Sequence, residues 1–188
     1  MQRLKHFLAF FGLFGLAVSA FSANDTLSPF AVVNVDIGSG EVHYVTIVPQ
    51  KIIFSTGLIP QAIVGQLLQP NGKIAPENFA RNSVFVEYMH DFIRREGAKL
   101  PQIKSQAEKI KNGKFDLMDL RPGPPSSENI IGVFNVQNGK IISYERNRDH
   151  RILSNNGFFR LPYGIEMKLI EELSAEAKRN VPQAKKVG

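Results

Sequence analysis

The sequence predicts an α+β fold: an antiparallel sheet of about four to five strands from two hairpins, with helices on one face. Three observations predict it. Two segments rich in β-branched and alternating residues fold back around glycine turns, the pattern of half-buried antiparallel strands. Segments with apolar residues three and four apart lie between the hairpins and after them. The 188 residues include no cysteine, so an apolar core must hold the fold, and a chain of this length can build one.

In chain order, residues 30–37 place Ala31, Val33, Val35 and Ile37 on one parity, with Asn34 and Asp36 on the other. Gly38-Ser39-Gly40 turns the chain into a second strand over 41–48. Pro49 interrupts it, and 51–55 is read as a short third strand. Residues 60–69 carry Ile63, Val64, Leu67 and Leu68 at helical spacing, with Pro60 in the first turn and Pro70 as the stop. Asn71-Gly72 is a turn. A longer helix is expected over 76–96, with a break near Asn82-Ser83 and a broad stripe of Phe79, Val86, Met89 and Ile93. A third helix over 101–112 rests on Ile103, Ala107 and Ile110, with Gly113 at its end.

Residues 115–127 read as a loop within one domain, because Arg121-Pro122-Gly123-Pro124-Pro125 resists regular structure. Strands over 130–136 and 140–145 flank Asn138-Gly139, the favoured central pair of a type I′ turn. Residues 147–156 are polar and irregular, and Phe158-Phe159 re-enters the core. The clearest helix spans 162–179, on Ile165, Leu169, Ile170 and Leu173.

The N-terminus predicts export. Arg3 and Lys5 precede an apolar run over 7–18, and the small residues Ser19, Ala20, Ser22 and Ala23 follow, which are the three parts of a secretory signal peptide. The run falls short of the roughly 20 apolar residues that span a bilayer. Residues 1–22 are therefore read as a leader cut after Ala20 or Ser22, 23–180 as a single α+β domain, and 181–188 as a basic flexible tail. Removing Arg3 and Lys5 takes two cations from a net charge of +6 and leaves +4. Without clustering on one face, that charge does not argue for nucleic acid. No stable membrane span is expected after cleavage, and the compartment is periplasmic or extracellular.

Catalytic signals are sparse. No nucleophile elbow, phosphate-binding loop, dinucleotide fingerprint or His-Glu-x-x-His motif occurs. Only His43, His90 and His150 lie beyond the leader. Glu87 and His90 share a helical face, but two ligands make no metal site, and Glu87, His90, Asp91, Arg94 and Arg95 fit a solvated face with Asp91 spaced to pair with Arg95. His43 shares parity with Val45 and Ile47 and is read as half-buried with a hydrogen-bond partner. No metal and no cofactor are expected.

The most concentrated polar stretch is 144–151. There Arg146, Arg148 and Arg151 offer planar donors suited to carboxylate or phosphate, and Asp149 stands beside His150 as an orienting acid. Arg121 joins them if the proline-rich loop reaches the same end of the sheet. The sequence thus predicts an exported binding domain that recognises a protein or an anionic envelope component through Arg146, Arg148, Arg151, His150 and Arg121. Two alternatives stand beside it: a hydrolase using Asp149 and His150 with Asp116 or Asp119, and a structural subunit of an envelope assembly.

Overall fold

A computed structural model describes residues 16–17, 29–69 and 73–181. The expected leader cleavage site, the Asn71-Gly72 turn and nearly all of the expected tail lie outside the described residues. Among those described, helices and antiparallel sheets combine as the periodicities predict.

The first sheet has the order β1-β2-β3-β4-β5. Its strands are β1 (Leu16–Ala17), β2 (Ala31–Asp36), β3 (Glu41–Thr46), β4 (Ile63–Leu67) and β5 (Phe79–Arg81). The first hairpin pairs Ala31 with Thr46 and Asp36 with Glu41. The second hairpin belongs to a separate three-stranded sheet of β6 (Gly113–Met118), β7 (Ile130–Gln137) and β8 (Lys140–Arg146). A two-stranded ribbon, β9 (Leu153–Ser154) with β10 (Gly157–Phe158), completes the strands.

Four α-helices accompany them: α1 (Gln50–Thr56), α2 (Ser83–Glu96), α3 (Pro101–Ile110) and α4 (Tyr163–Arg179). Helix α2 contacts both β4 and β8, so it ties the two larger sheets together, and α4 packs on α1 and α2. The buried face of α2 carries Phe85, Met89, Phe92 and Ile93. One apolar cluster runs from Val32 to Ala177 through both sheets. Phe158 and Phe159 re-enter the core as expected. Phe158 stacks on Phe30 at 4.6 Å between ring centroids and meets Phe79 edge-on at 5.5 Å.

Four segments differ from the sequence reading. Residues 51–55 form part of α1 rather than a strand, with Pro49 as N-cap and the Ser55 and Thr56 hydroxyls donating back to the Ile52 carbonyl. Residues 60–69 form a 3-10 turn at Pro60–Ala62 and then β4, not a helix. Ile63, Val64 and Gly65 disfavour a helix, and a short apolar run serves a buried strand equally well. The long helix begins only at Ser83. Asn82 is its N-cap, its Oδ1 accepting from Val84 N at 3.0 Å while Nδ2 donates to the carbonyls of Pro60 and Ile63. Before it, Phe79–Arg81 pairs with β4. The expected loop at 115–127 begins as β6, because Phe115 and Leu117 alternate toward Phe134 and Gly132 of β7.

The Asn138-Gly139 turn has positive φ at both residues, 51° and 74°, as a type I′ turn requires. On β7, Gly132 is a close-approach position. A Cβ there would lie 2.5 Å from the Tyr144 hydroxyl and 2.6 Å from the Glu145 carbonyl oxygen. The missing side chain lets the Tyr144 ring fold across β7 toward α2.

Candidate functional site

The proline-rich loop and the basic loop meet. Three backbone bonds fix the first: Asp119 N donates to Asn129 O at 2.7 Å, Leu120 N to Arg160 O at 2.8 Å, and Asn129 N to Ser126 O at 3.0 Å. Asn147 fixes the second. Its Nδ2 donates to Ser127 O at 2.9 Å and Ile130 O at 2.8 Å, and its N–H donates to Ile131 O at 3.0 Å. The Pro122–Ser127 stretch and the 147–151 stretch therefore share one base.

Beneath them lies a buried cluster of Asp119, Arg121 and His150. Asp119 Oδ2 accepts from His150 Nε2 at 3.0 Å and from Arg121 Nε at 2.8 Å, with a second Arg121 nitrogen also bonded to it. Asp119 Oδ1 accepts the backbone N–H of Arg121 at 2.9 Å and of Arg160 at 2.8 Å. Arg121 also donates to the carbonyls of Arg151 and Gly157. The Asp119 carboxylate and the Arg121 guanidinium together thus join the chain at 119–121, 150–151 and 157–160. Burial alone would raise the Asp119 pKa, but the bonds from His150, Arg121 and the two amides hold it below the ordinary carboxylate value. His150 Nε2 faces an ionised carboxylate and so carries its proton toward Asp119.

Three sequence expectations change here. Arg121 and His150 are only 4% and 5% exposed, so their donors serve the interior rather than a contact surface. Asp149 does not orient His150. It is exposed, with its backbone N–H on Asn147 Oδ1 at 3.1 Å, and Asp119 takes the orienting place. Asp116 is exposed on β6 opposite Val133, so it does not bracket a site with the buried Asp119.

The three arginines of the basic stretch are exposed. Arg146 at the end of β8 is ion-paired with Glu87 of α2, which raises its pKa. Arg151 pairs with Glu128 at 3.0 Å. Arg148 makes no hydrogen bond or ion pair among the described residues. The neutralising acids are thus Glu87 and Glu128, from other elements, rather than the neighbouring Glu145 and Asp149.

The other histidines are structural. His90 is buried, with Nδ1 2.9 Å from the Tyr144 hydroxyl. Its pKa falls to about 4, first through burial and then through the electrostatic effect of neighbouring His150 and Arg146. Burial raises the Tyr144 pKa, so the phenol stays protonated. Glu87, its expected companion on a helical face, points to Arg146 instead. Asp91 pairs with Arg94, while Arg95 reaches Glu172 of α4 at 2.6 Å. His43 is buried, with Nδ1 2.6 Å from Asn34 Oδ1 directly across the hairpin. Among the described residues, no three His, Cys, Asp or Glu side chains gather as a metal site needs.

Sequence reasoning missed Arg160 and Glu166. Glu166, in the first turn of α4, accepts from Leu161 N at 3.1 Å and from Arg160 Nε and a second guanidinium nitrogen at 3.2 and 3.1 Å. The readable signal was an acid in the first turn after Pro162, a position that favours negative charge. No family model matches the chain, and neither a curated protein nor a solved structure is similar enough to count as a match.

Proposed function

We propose that this chain is an exported domain of the periplasm or extracellular space that binds without catalysis. Its partner is an acidic protein surface or an anionic envelope component, and the contact residues are Arg146, Arg148 and Arg151. The observation that carries this reading is Arg148. It stands exposed and unpaired among the described residues, on a loop whose base Asn147 pins to the neighbouring segment. On either side, Arg146 and Arg151 hold carboxylates that are themselves exposed, and solvated pairs of this kind exchange readily for a better anion. A planar guanidinium forms paired hydrogen bonds with carboxylate or phosphate.

Arg121 and His150 act behind this surface as positioning residues, since Arg121 holds the Arg151 carbonyl. The acid–base pair nearest to a hydrolase is sealed inside, with both carboxylate oxygens occupied by structural donors, which weighs against catalysis. Among the described residues, no helix is long and apolar enough to cross a membrane.

The test uses immobilised polyglutamate and an immobilised sulfated polysaccharide. The protein should be retained at low salt and released as salt screens the contact. A variant with Arg146, Arg148 and Arg151 all changed to alanine should fold normally and lose retention. A control with exposed Lys104, Lys109 and Lys114 changed to alanine loses the same charge and should be retained. Equal retention of a folded triple-arginine variant would overturn the assignment.

A further inference from the structure

We infer that the outer edge of β2 is a strand-pairing surface that the leader covers and that its removal opens to a second copy of this chain. The inference rests on the export reading for the step that opens the edge. It concerns a surface distinct from the arginine loop.

Leu16–Ala17 lies within the expected leader, yet its backbone pairs antiparallel with β2, Leu16 opposite Val35 and Ala17 opposite Asn34. The edge therefore accepts an extended antiparallel segment. Cleavage after Ala20 or Ser22 removes that segment and leaves β2 outermost among the described strands. Proteins ordinarily guard such an edge with lysine, proline, a bulge or a covering element. The sequence of β2, Ala-Val-Val-Asn-Val-Asp, has no lysine and no proline. Its pairing with β3 runs in unbroken register from Ala31 to Asp36. Val32 and Val33 are buried, so the strand is held firmly as a template. The opposite edge of the sheet, β5, has only three residues and carries Arg81.

A second copy fits this edge. Two antiparallel β2 strands related by a two-fold axis keep each sheet face continuous, so opposed residues share parity. With the axis at Val33, Val33 faces its own counterpart and Ala31 faces Val35 of the other copy, while Val32 faces Asn34. This row is apolar and β-branched, the pairing that stabilises antiparallel ladders, and Asp36 does not face Asp36. Ile37, 52% exposed at the end of the strand, lies beside the same edge. The contact is narrow compared with a permanent interface, so association should depend on concentration.

Among the described residues the apolar core runs from Val32 to Ala177, and circular dichroism of chain 23–188 against the full chain checks that the shortened chain folds. The test is sedimentation equilibrium of chain 23–188, with amide hydrogen exchange over residues 31–36. The mass should rise toward twice the monomer value with concentration, and the β2 amides should slow in step. Val35→Lys, checked for folding by circular dichroism, should stay monomeric. If that variant fails to fold, the concentration dependence of β2 exchange in the unaltered chain decides. A chain that stays monomeric with concentration-independent β2 exchange overturns the inference. So does a dimer that folded Val35→Lys leaves intact, or a monomer that pairs only with an added extended peptide. Because 23–188 is made directly, these outcomes are independent of whether the leader is cut in the cell, which the N-terminal mass of exported protein reports.

Discussion

Asp119 and His90 show two ways of burying an ionisable side chain. Asp119 stays charged because five donors meet its two oxygens. His90 stays neutral because burial and nearby cations outweigh the one carboxylate, Glu87, that favours its charged form. Replacing Asp119 by asparagine would leave the Arg121 guanidinium buried without its counter-charge, a loss of about 3–5 kcal/mol. Denaturant unfolding should show that drop, and an unchanged midpoint would mean the cluster is not a structural clamp. Acid acts on the two groups in separate windows. The His90 imidazole titrates near 6.5 when unfolded and near 4 when folded. Between these values the unfolded chain binds the extra proton, so stability falls as pH drops from about 6.5 to 4, by about 3 kcal/mol in all. Asp119 has its folded pKa depressed, so its stabilisation is complete above the unfolded carboxylate value near 4 and is lost below it as pH falls. His90→Gln should flatten the first window and leave the second, as read by unfolding free energy against pH. Both residues were visible as ionisable positions in the sequence. Their partners were not, because Asp119 and His150 are 31 positions apart while Asp149 is adjacent, and adjacency alone suggested the wrong acid.

Elements were legible where the determining signal was local. Asn138-Gly139 set the second hairpin through the positive φ that its turn demands, and α4 followed from its apolar spacing. The segments at 51–55 and 60–69 were misread because each is a short apolar run whose state is chosen by what it packs against. Ile53 of α1 and Val64 of β4 are both buried. One junction had no sequence signal. Helix α3 ends in a tight γ-turn: Lys111 has φ 62° and ψ −59°, and Asn112 N donates to Ile110 O at 2.7 Å. This conformation is rare and strained for a residue with a side chain. The hairpin tip holds it, with Gly139 N donating to Lys111 O at 2.8 Å and Asn138 N to Asn112 Oδ1 at 3.0 Å. Lys111→Gly relieves the strain at some cost in unfolded-chain entropy. The net expectation is a gain of about 1 kcal/mol, seen as a higher thermal midpoint. A lower midpoint would show that the lysine side chain contributes more than its backbone costs.

At the scale of the molecule, the class of fold was legible but the grouping of the hairpins was not. Each hairpin is specified by its own turn, whereas the assignment of strands to sheets depends on long-range pairing that periodicity does not encode. Here β4 and β5 complete the first sheet and β6 completes the second, and two of those three strands were read as helical. The same distinction bears on the N-terminus. Among the described residues the core begins at Val32, with Phe30 packed against it. The first 22 residues carry the charge, apolar run and small-residue exit of a leader. On the proposed export reading, the domain that follows stands without them, and that is open to test. Expressed in a bacterium with a secretory pathway, the protein should be recovered from the periplasm or medium. Its intact mass should correspond to a chain beginning at Phe21 or Ala23. The processed form should unfold at the midpoint of the uncut chain, measured at a concentration low enough to keep both monomeric. Recovery of chains beginning at Met1 from the membrane fraction would instead assign residues 7–18 to an anchor.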